Sequence, residues 1–238
     1  MATKLYFHNA ASGVSGTLPS TNQSALSLTL TSDAVTVNRT MNTTIGSSQT
    51  SKTINTNASV SQQNLYYTRF LSVPLAAQTI SANTWDYNFA ASEDSGTANF
   101  PCNSTSQPVY INCYVWRPST GAKVGTILEG NSGSTFNEPN QVATEKVMHG
   151  TFSGSSLAIL NGDVLVFEQI FRITMGNATS RACIIYYDGT TENTTANTTV
   201  SNHASFIQTP QNLTLASSSI DMTVTTKTPV HPKPIRVV

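Results

Sequence analysis

An all-β fold, an antiparallel β-sandwich or jelly roll with extended N- and C-terminal arms, is what this sequence predicts, and three observations predict it. Short runs rich in Val, Ile, Thr, Tyr and Phe alternate with Gly, Asn and Ser turns at close, regular spacing. No 3.6-residue apolar period survives over a useful length. Residues 164–174 carry apolar side chains on both alternating faces, Val164 and Val166 against Leu165 and Phe167, as a strand does when it is covered on both sides. After the polar run 176–181 the pattern resumes at 182–187, with Cys183, Ile185 and Tyr187 alternating against Ile184 and Tyr186. The simplest pairing makes these two segments antiparallel neighbours at the heart of a sheet.

Taken in order, residues 4–8 form a short strand followed by a turn-rich stretch. Leu26, Leu28 and Leu30, then Val35 and Val37, give two strands with one apolar face each, suited to an arm laid on a partner. Residues 41–63 are a Thr/Ser/Asn run too poor in apolar side chains to offset the entropy of ordering it. Strands follow at 65–73, 80–90 (Trp85, Tyr87 and Phe89 on one face) and 98–102. Residues 109–116 and 123–128 flank Arg117-Pro118-Ser119-Thr120-Gly121, a turn by composition, and therefore form a hairpin. Further strands are expected at 145–152, 157–160, 203–207 and 213–215, with Asn161-Gly162 turning into the central strand. Ile220, Met222 and Val224 alternate once more, and Pro229, Pro232 and Pro234 then impose an extended end. The division is thus an N-terminal arm over 1–63, a sandwich core over 64–216, and a C-terminal arm over 217–238.

Composition narrows the function. Charged residues make up 10% of the 238, against about a quarter in ordinary soluble domains, so hydroxyls and amides supply the polarity. The formal net charge is zero, and no basic face exists to attract nucleic acid or an anionic membrane. No window approaches the roughly 18 apolar residues of a membrane span, nor is there a signal-peptide core, so a soluble protein made in the cytosol is expected. The sequons at Asn38, Asn42, Asn103, Asn193 and Asn197 are then a by-product of composition. Three cysteines, an odd number, read as reduced thiols rather than a disulfide framework.

Acid catalysis requires two carboxylates across a cleft, and the candidates are Asp163, Glu168, Asp188 and Glu192. Asp163 and Asp188 stand in turns, where Asp is common for its own reasons. Glu168 shares a strand face with Val164 and Val166, and is expected to pair with Arg172 further along that face where it becomes solvated. The histidines at 8, 149, 203 and 231 show no metal-ligand spacing. Asp188-Gly-Thr-Thr-Glu192 offers two hard oxygen donors around a turn but lacks the EF-hand pattern. Trp85, Trp116, Tyr186 and Tyr187 could line a sugar site, yet all four lie within strand patterns and read as core. The expectation is a protein that is not an enzyme and has no cofactor and no metal.

The stretches ATKLYFHNAASGVSGTLPS, NCYVWRPSTGAKVGT (112–126), YYDGTTENTT and VSNHASFIQTP (within 186–210) resemble an uncharacterised family of virion structural proteins of tailed, cyanophage-like bacteriophages. The resemblance spans most of residues 1–210, leaves the C-terminal arm outside, and brings no catalytic residues. It implies a virion component. A compact β domain with arms and a neutral surface further resembles a capsid decoration, or cement, protein binding between capsomers. Its expected partners are the major capsid protein or other virion proteins and copies of itself, a trimer being favoured, with neither nucleic acid nor membrane. Leu26, Leu28, Leu30, Val35, Val37, Pro229, Pro232, Pro234 and Ile235 are the expected partner-binding residues. The alternative is a neck, tail-fibre or receptor-binding module that recognises a host-surface glycan.

Overall fold

The computed structural model describes residues 2–14, 16, 18, 38–55, 62–93, 109–128, 144–174, 182–195 and 198–216. These hold thirteen strands and no helix. The strands are β1 (Lys4–Ala11), β2 (Asn38–Asn42), β3 (Thr50–Asn55), β4 (Gln62–Ser72), β5 (Gln78–Ile80), β6 (Thr84–Glu93) and β7 (Val109–Arg117). They continue with β8 (Ala122–Leu128), β9 (Lys146–Ser153), β10 (Leu157–Ile159), β11 (Val164–Thr174), β12 (Ala182–Tyr187) and β13 (Phe206–Gln208).

Eleven of them form one hydrogen-bonded sheet in the order β3-β12-β6-β13-β1-β2-β4-β11-β7-β8, with β9 on the other edge of β6. β5 and β10 make a separate two-stranded ribbon. In this order β6 and β11 stand five strand spacings apart, about 24 Å in a flat sheet. Yet the ring centroids of Tyr87 in β6 and Phe167 in β11 are 5.2 Å apart. The sheet therefore folds over on itself into two facing layers, and the core lies between them.

At the fold, Phe7 of β1 stacks on Phe70 of β4 at 4.3 Å and on Phe167 at 5.2 Å, and meets Tyr87 at 6.0 Å. Strand periodicity places the remaining core side chains as the sequence predicts. Trp85, Tyr87 and Phe89 line the inner face of β6, Ile111, Cys113 and Val115 that of β7, and Leu165 and Phe167 that of β11. On the outer face, Val164 and Val166 pack with Leu71, Tyr114 and Trp116, under Val14 and Leu18. The expectation that β11 is covered on both faces thus holds: Val164 to Phe167 are all fully buried.

The β7–β8 hairpin is present, its turn closed by Gly121 N–H donating to Arg117 O at 2.9 Å, with Gly121 at φ 69°. The Asn161-Gly162 turn is present too, with Gly162 at φ 91°.

Three expectations are corrected. β11 and β12 are not neighbours: β11 pairs with β4 and β7, and β12 with β3 and β6. Two strands with equally apolar faces carry no local instruction about which partner each takes, so proximity in sequence decided nothing. Second, the apolar core reaches beyond residues 64–216. β1 lies between β13 and β2, Leu5, Phe7 and Met41 are fully buried, and β2 and β3 order part of the Thr/Ser/Asn run. Their backbone hydrogen bonds to existing strands replace the side-chain burial that composition lacks. Third, the sheet is not wholly antiparallel, because β2 runs parallel to β4. The expected strands around Leu26, Leu28, Leu30, Val35 and Val37, the strand 98–102 and the arm 217–238 fall outside the described residues.

If β1 is integral, Phe7→Ala removes a ring from the centre of the core. It is expected to lower unfolding free energy by about 3–5 kcal/mol in urea denaturation. A loss below about 1 kcal/mol would mean that β1 is a detachable arm.

Candidate functional site

The polar groups gather at three places. The first is the outer face of the β4–β11–β7 layer. Register sets Glu168 directly opposite Arg69 on one neighbour and Asn112 on the other. Arg69 Nε donates to Glu168 Oε1 at 2.7 Å, and Tyr114 Oη donates to the same oxygen at 3.3 Å. Asn112 Nδ2 donates to Oε2 at 3.4 Å. Glu168 is 1% exposed, so a carboxylate in this position is tolerable because it is both paired and hydrogen-bonded. It is thus held by cross-strand partners, while the side chain of Arg172, the partner expected along the strand, lies outside what the structure describes. Burial, then the negative charge of Glu168, pushes the hydroxyl of Tyr114 and the thiol of Cys113 upward, so both stay neutral. Cys113 is a free, buried thiol, Cys183 lies in β12, and Cys102 falls outside the described residues.

The second place is the turn into β11. Arg117 grips the buried Asp163 through two hydrogen bonds, of 2.7 and 2.8 Å, and Leu160 N–H donates to the same carboxylate at 2.8 Å. This joins the β7–β8 turn to the start of the central strand. Beside it, between the segment 12–16 and the ends of β4 and β7, lies a cavity of about 750 Å³. Among the described residues, Ser12, Thr40, Ser72 and Ser119 stand on its walls and no charged residue does. Gly16, at φ 136°, crosses the Trp116 ring so closely that a Cβ would sit 2.7 Å from Cη2.

The third place brings β1 against the segment after β12. Asp188, at φ 59°, accepts from His8 Nδ1 at 2.7 Å, Asn9 N–H at 2.8 Å and Thr50 Oγ1 at 3.0 Å. Glu192 accepts from Lys4 Nζ and Tyr6 Oη. Burial pushes the Glu192 carboxyl up, but the hydrogen bonds from Lys4 and Tyr6 outweigh it and hold the group below its ordinary range. The two oxygen donors of the 188–192 loop are thus taken by separate protein donors. Among the described residues no three His, Cys, Asp or Glu side chains come together as a metal group. Nearby His203 is fully buried, with neither ring nitrogen hydrogen-bonded. Its burial pushes the imidazole down to about 4 against the opposing pull of Glu192.

The aromatic candidates resolve in favour of packing. Trp85, Trp116 and Tyr187 are buried in the core clusters, and half-buried Tyr186 shares a hydrogen bond of 2.8 Å with Ser92 Oγ. The expected partner-binding residues, Leu26 to Val37 and Pro229 to Ile235, lie outside the described residues. The cavity was not foreseen, since it forms where five separated segments meet.

No family model matches the sequence, and no curated protein matches it. Among solved structures, two of a CocE/NonD family hydrolase from Staphylococcus aureus are similar in part. One has a TM-score of 0.46 at 11% identity over 90% of this chain, and the other 0.43 at 10% over 88%. The chain spans 36% of the length of either.

Two outcomes are expected. Arg69→Met, which strands the Glu168 charge, costs about 3–5 kcal/mol, whereas Arg69→Met with Glu168→Leu recovers most of it, a contrast that a double-mutant cycle in urea measures. For His203, the folded value lies below the ordinary 6.5, so the unfolded chain takes up the proton first. Stability is then full above about pH 6.5 and declines as pH falls toward about 4, by roughly 3 kcal/mol at most. Unfolding free energies at pH 7 and pH 4.5 check this, and His203→Phe should flatten that part of the profile.

Proposed function

We propose that this chain is a non-catalytic structural component of a tailed-phage virion, and that it serves as a decoration protein binding between capsomers on the head. The observation that carries the non-catalytic part is where its acids go. Asp86, Glu145, Asp163, Glu168, Asp188 and Glu192, the acids whose side chains are described, are each held by a protein partner in another part of the chain. Carboxylates tied down in this way join distant segments, and among the described residues none is left to face its fellow across a cleft.

Support for the virion setting comes from the sequence motifs of residues 2–20, 112–126 and 186–210. The same stretches supply β1, the β7–β8 hairpin and the 188–208 segment, which are structural parts of the sandwich. Partner binding falls to the segments bearing Leu26, Leu28, Leu30, Val35 and Val37, and Pro229, Pro232, Pro234 and Ile235. Residues 4–11 are not available for it, because β1 is built into the sheet. The partners on this reading are the major capsid protein and two further copies of the chain, with cyclic symmetry letting modest contacts add. A glycan-binding tail module is less favoured, because both tryptophans are buried.

Cryo-electron microscopy of particles with and without the gene tests the reading. Trimeric density on the outer head that vanishes in the deletion is the expected result. Density confined to neck or tail would reject decoration, and none on the particle would reject a virion role.

A further inference from the structure

Among the described residues two that are not glycine lie in the left-handed backbone region, Asp188 at φ 59° and Asn202 at φ 60°, and both belong to one contact. Thr190 N–H and Thr191 N–H donate to Asn202 O at 2.9 and 3.0 Å, and Ala204 N–H donates back to Thr191 O at 2.9 Å. Asp and Asn tolerate the left-handed region better than most residues, yet each still carries strain that its neighbours must hold in place. Gly189 passes so close to the carbonyls of Asn202 and His203 that no side chain fits there. Inside this contact His203 is fully buried, with no hydrogen bond to either ring nitrogen. A neutral imidazole tolerates such a place, whereas a charged one does not.

Three carboxylates hold the contact from outside. Glu145, just ahead of β9, accepts from the N–H groups of Asn202 and His203 at 3.2 and 3.0 Å and from Gln49 Nε2 at 2.7 Å. Asp188 takes His8, Asn9 and Thr50, and Glu192 takes Lys4 and Tyr6. The titratable and charged groups set against the contact are thus Asp188 and Glu192 within it, Glu145 beside β9, and Lys4, Tyr6 and His8 on β1. Tyr6 also meets Phe206 edge-on, with ring centroids 5.7 Å apart, and the two rings form an outer-face cluster with Ala204. We propose that residues 188–192 and 202–204 are an acid-released clasp, which opens as a unit when His203 takes up a proton and frees the Tyr6–Phe206 face while the sandwich stays folded. Burial keeps the proton off the closed ring against the pull of Glu192 and of the Thr191 carbonyl, and opening removes that burial. The folded value of about 4 lies below the ordinary 6.5, so acid favours the open clasp as pH falls from about 6.5 toward 4. The inference needs no particle and stands apart from the virion reading.

Hydrogen exchange on the full chain, corrected for the intrinsic pH dependence of the chemistry, tests it. Between pH 7 and pH 5 the opening constant of the Thr190, Thr191 and Ala204 amides is expected to rise about twentyfold, the ratio that an ordinary imidazole in the open clasp gives. At both pH values these amides are expected to open at least about a hundredfold more often than those of Val166 and Phe167 in β11, as a separate unit does. His203→Phe and His203→Gln, neither of which titrates, are each expected to lose the pH step. No step in the natural chain would overturn the proposal. A step of full size in either variant would assign the response to Glu145, Asp188 or Glu192 and overturn it too. Equal opening of clasp and β11 amides at pH 5 would mean that the clasp yields only with the whole fold, and would overturn it as well.

Discussion

The structure depends on the ring stack that closes the sheet. Phe7, Phe70, Phe167 and Tyr87 come from β1, β4, β11 and β6, which lie across the whole fold-over of one continuous sheet. A sheet of this length left open would expose an apolar face along its entire width. Folding it on these rings buries both halves at once, and offset stacking adds to the area term. Everything else, including the position of the outer cavity, follows from where that fold places the ends of β4 and β7.

Around this core the few charges act as ties between distant segments. Glu168 joins β11 to β4 and β7, Asp163 joins the start of β11 to the β7–β8 turn, and Asp188 and Glu192 hold β1 against the segment after β12. Two of these acids are buried almost completely, where losing a partner is far costlier than the pair is stabilising. A chain with so few charged residues and most of its described carboxylates engaged in this way has a surface dominated by hydroxyls and amides.

Much of this was legible beforehand, and the reason differs by element. The β7–β8 hairpin was readable because strand, turn and strand lie within 20 residues and the turn chemistry is local. The burial of Val164 to Phe167 on both faces was readable from alternation alone. The role of β1 was not, because a short strand with Leu5 and Phe7 looks the same at an edge and in the centre. Nor was the partner of Glu168, since Arg69 is 99 residues away and only pairing in register sets it opposite. The cavity had no sequence signal at all, being lined by turn residues whose identities are ordinary.

By itself, the sequence determined the class of structure and the inner and outer face of most strands. Period-two alternation and turn residues act over a few positions, and their steric causes do not depend on the rest of the chain. Only the tertiary structure decided which strands meet, that the N-terminal strand lies inside, and which charge answers which. Those outcomes rest on contacts between residues as far apart as Thr3 and Leu213, whose competition no local pattern encodes.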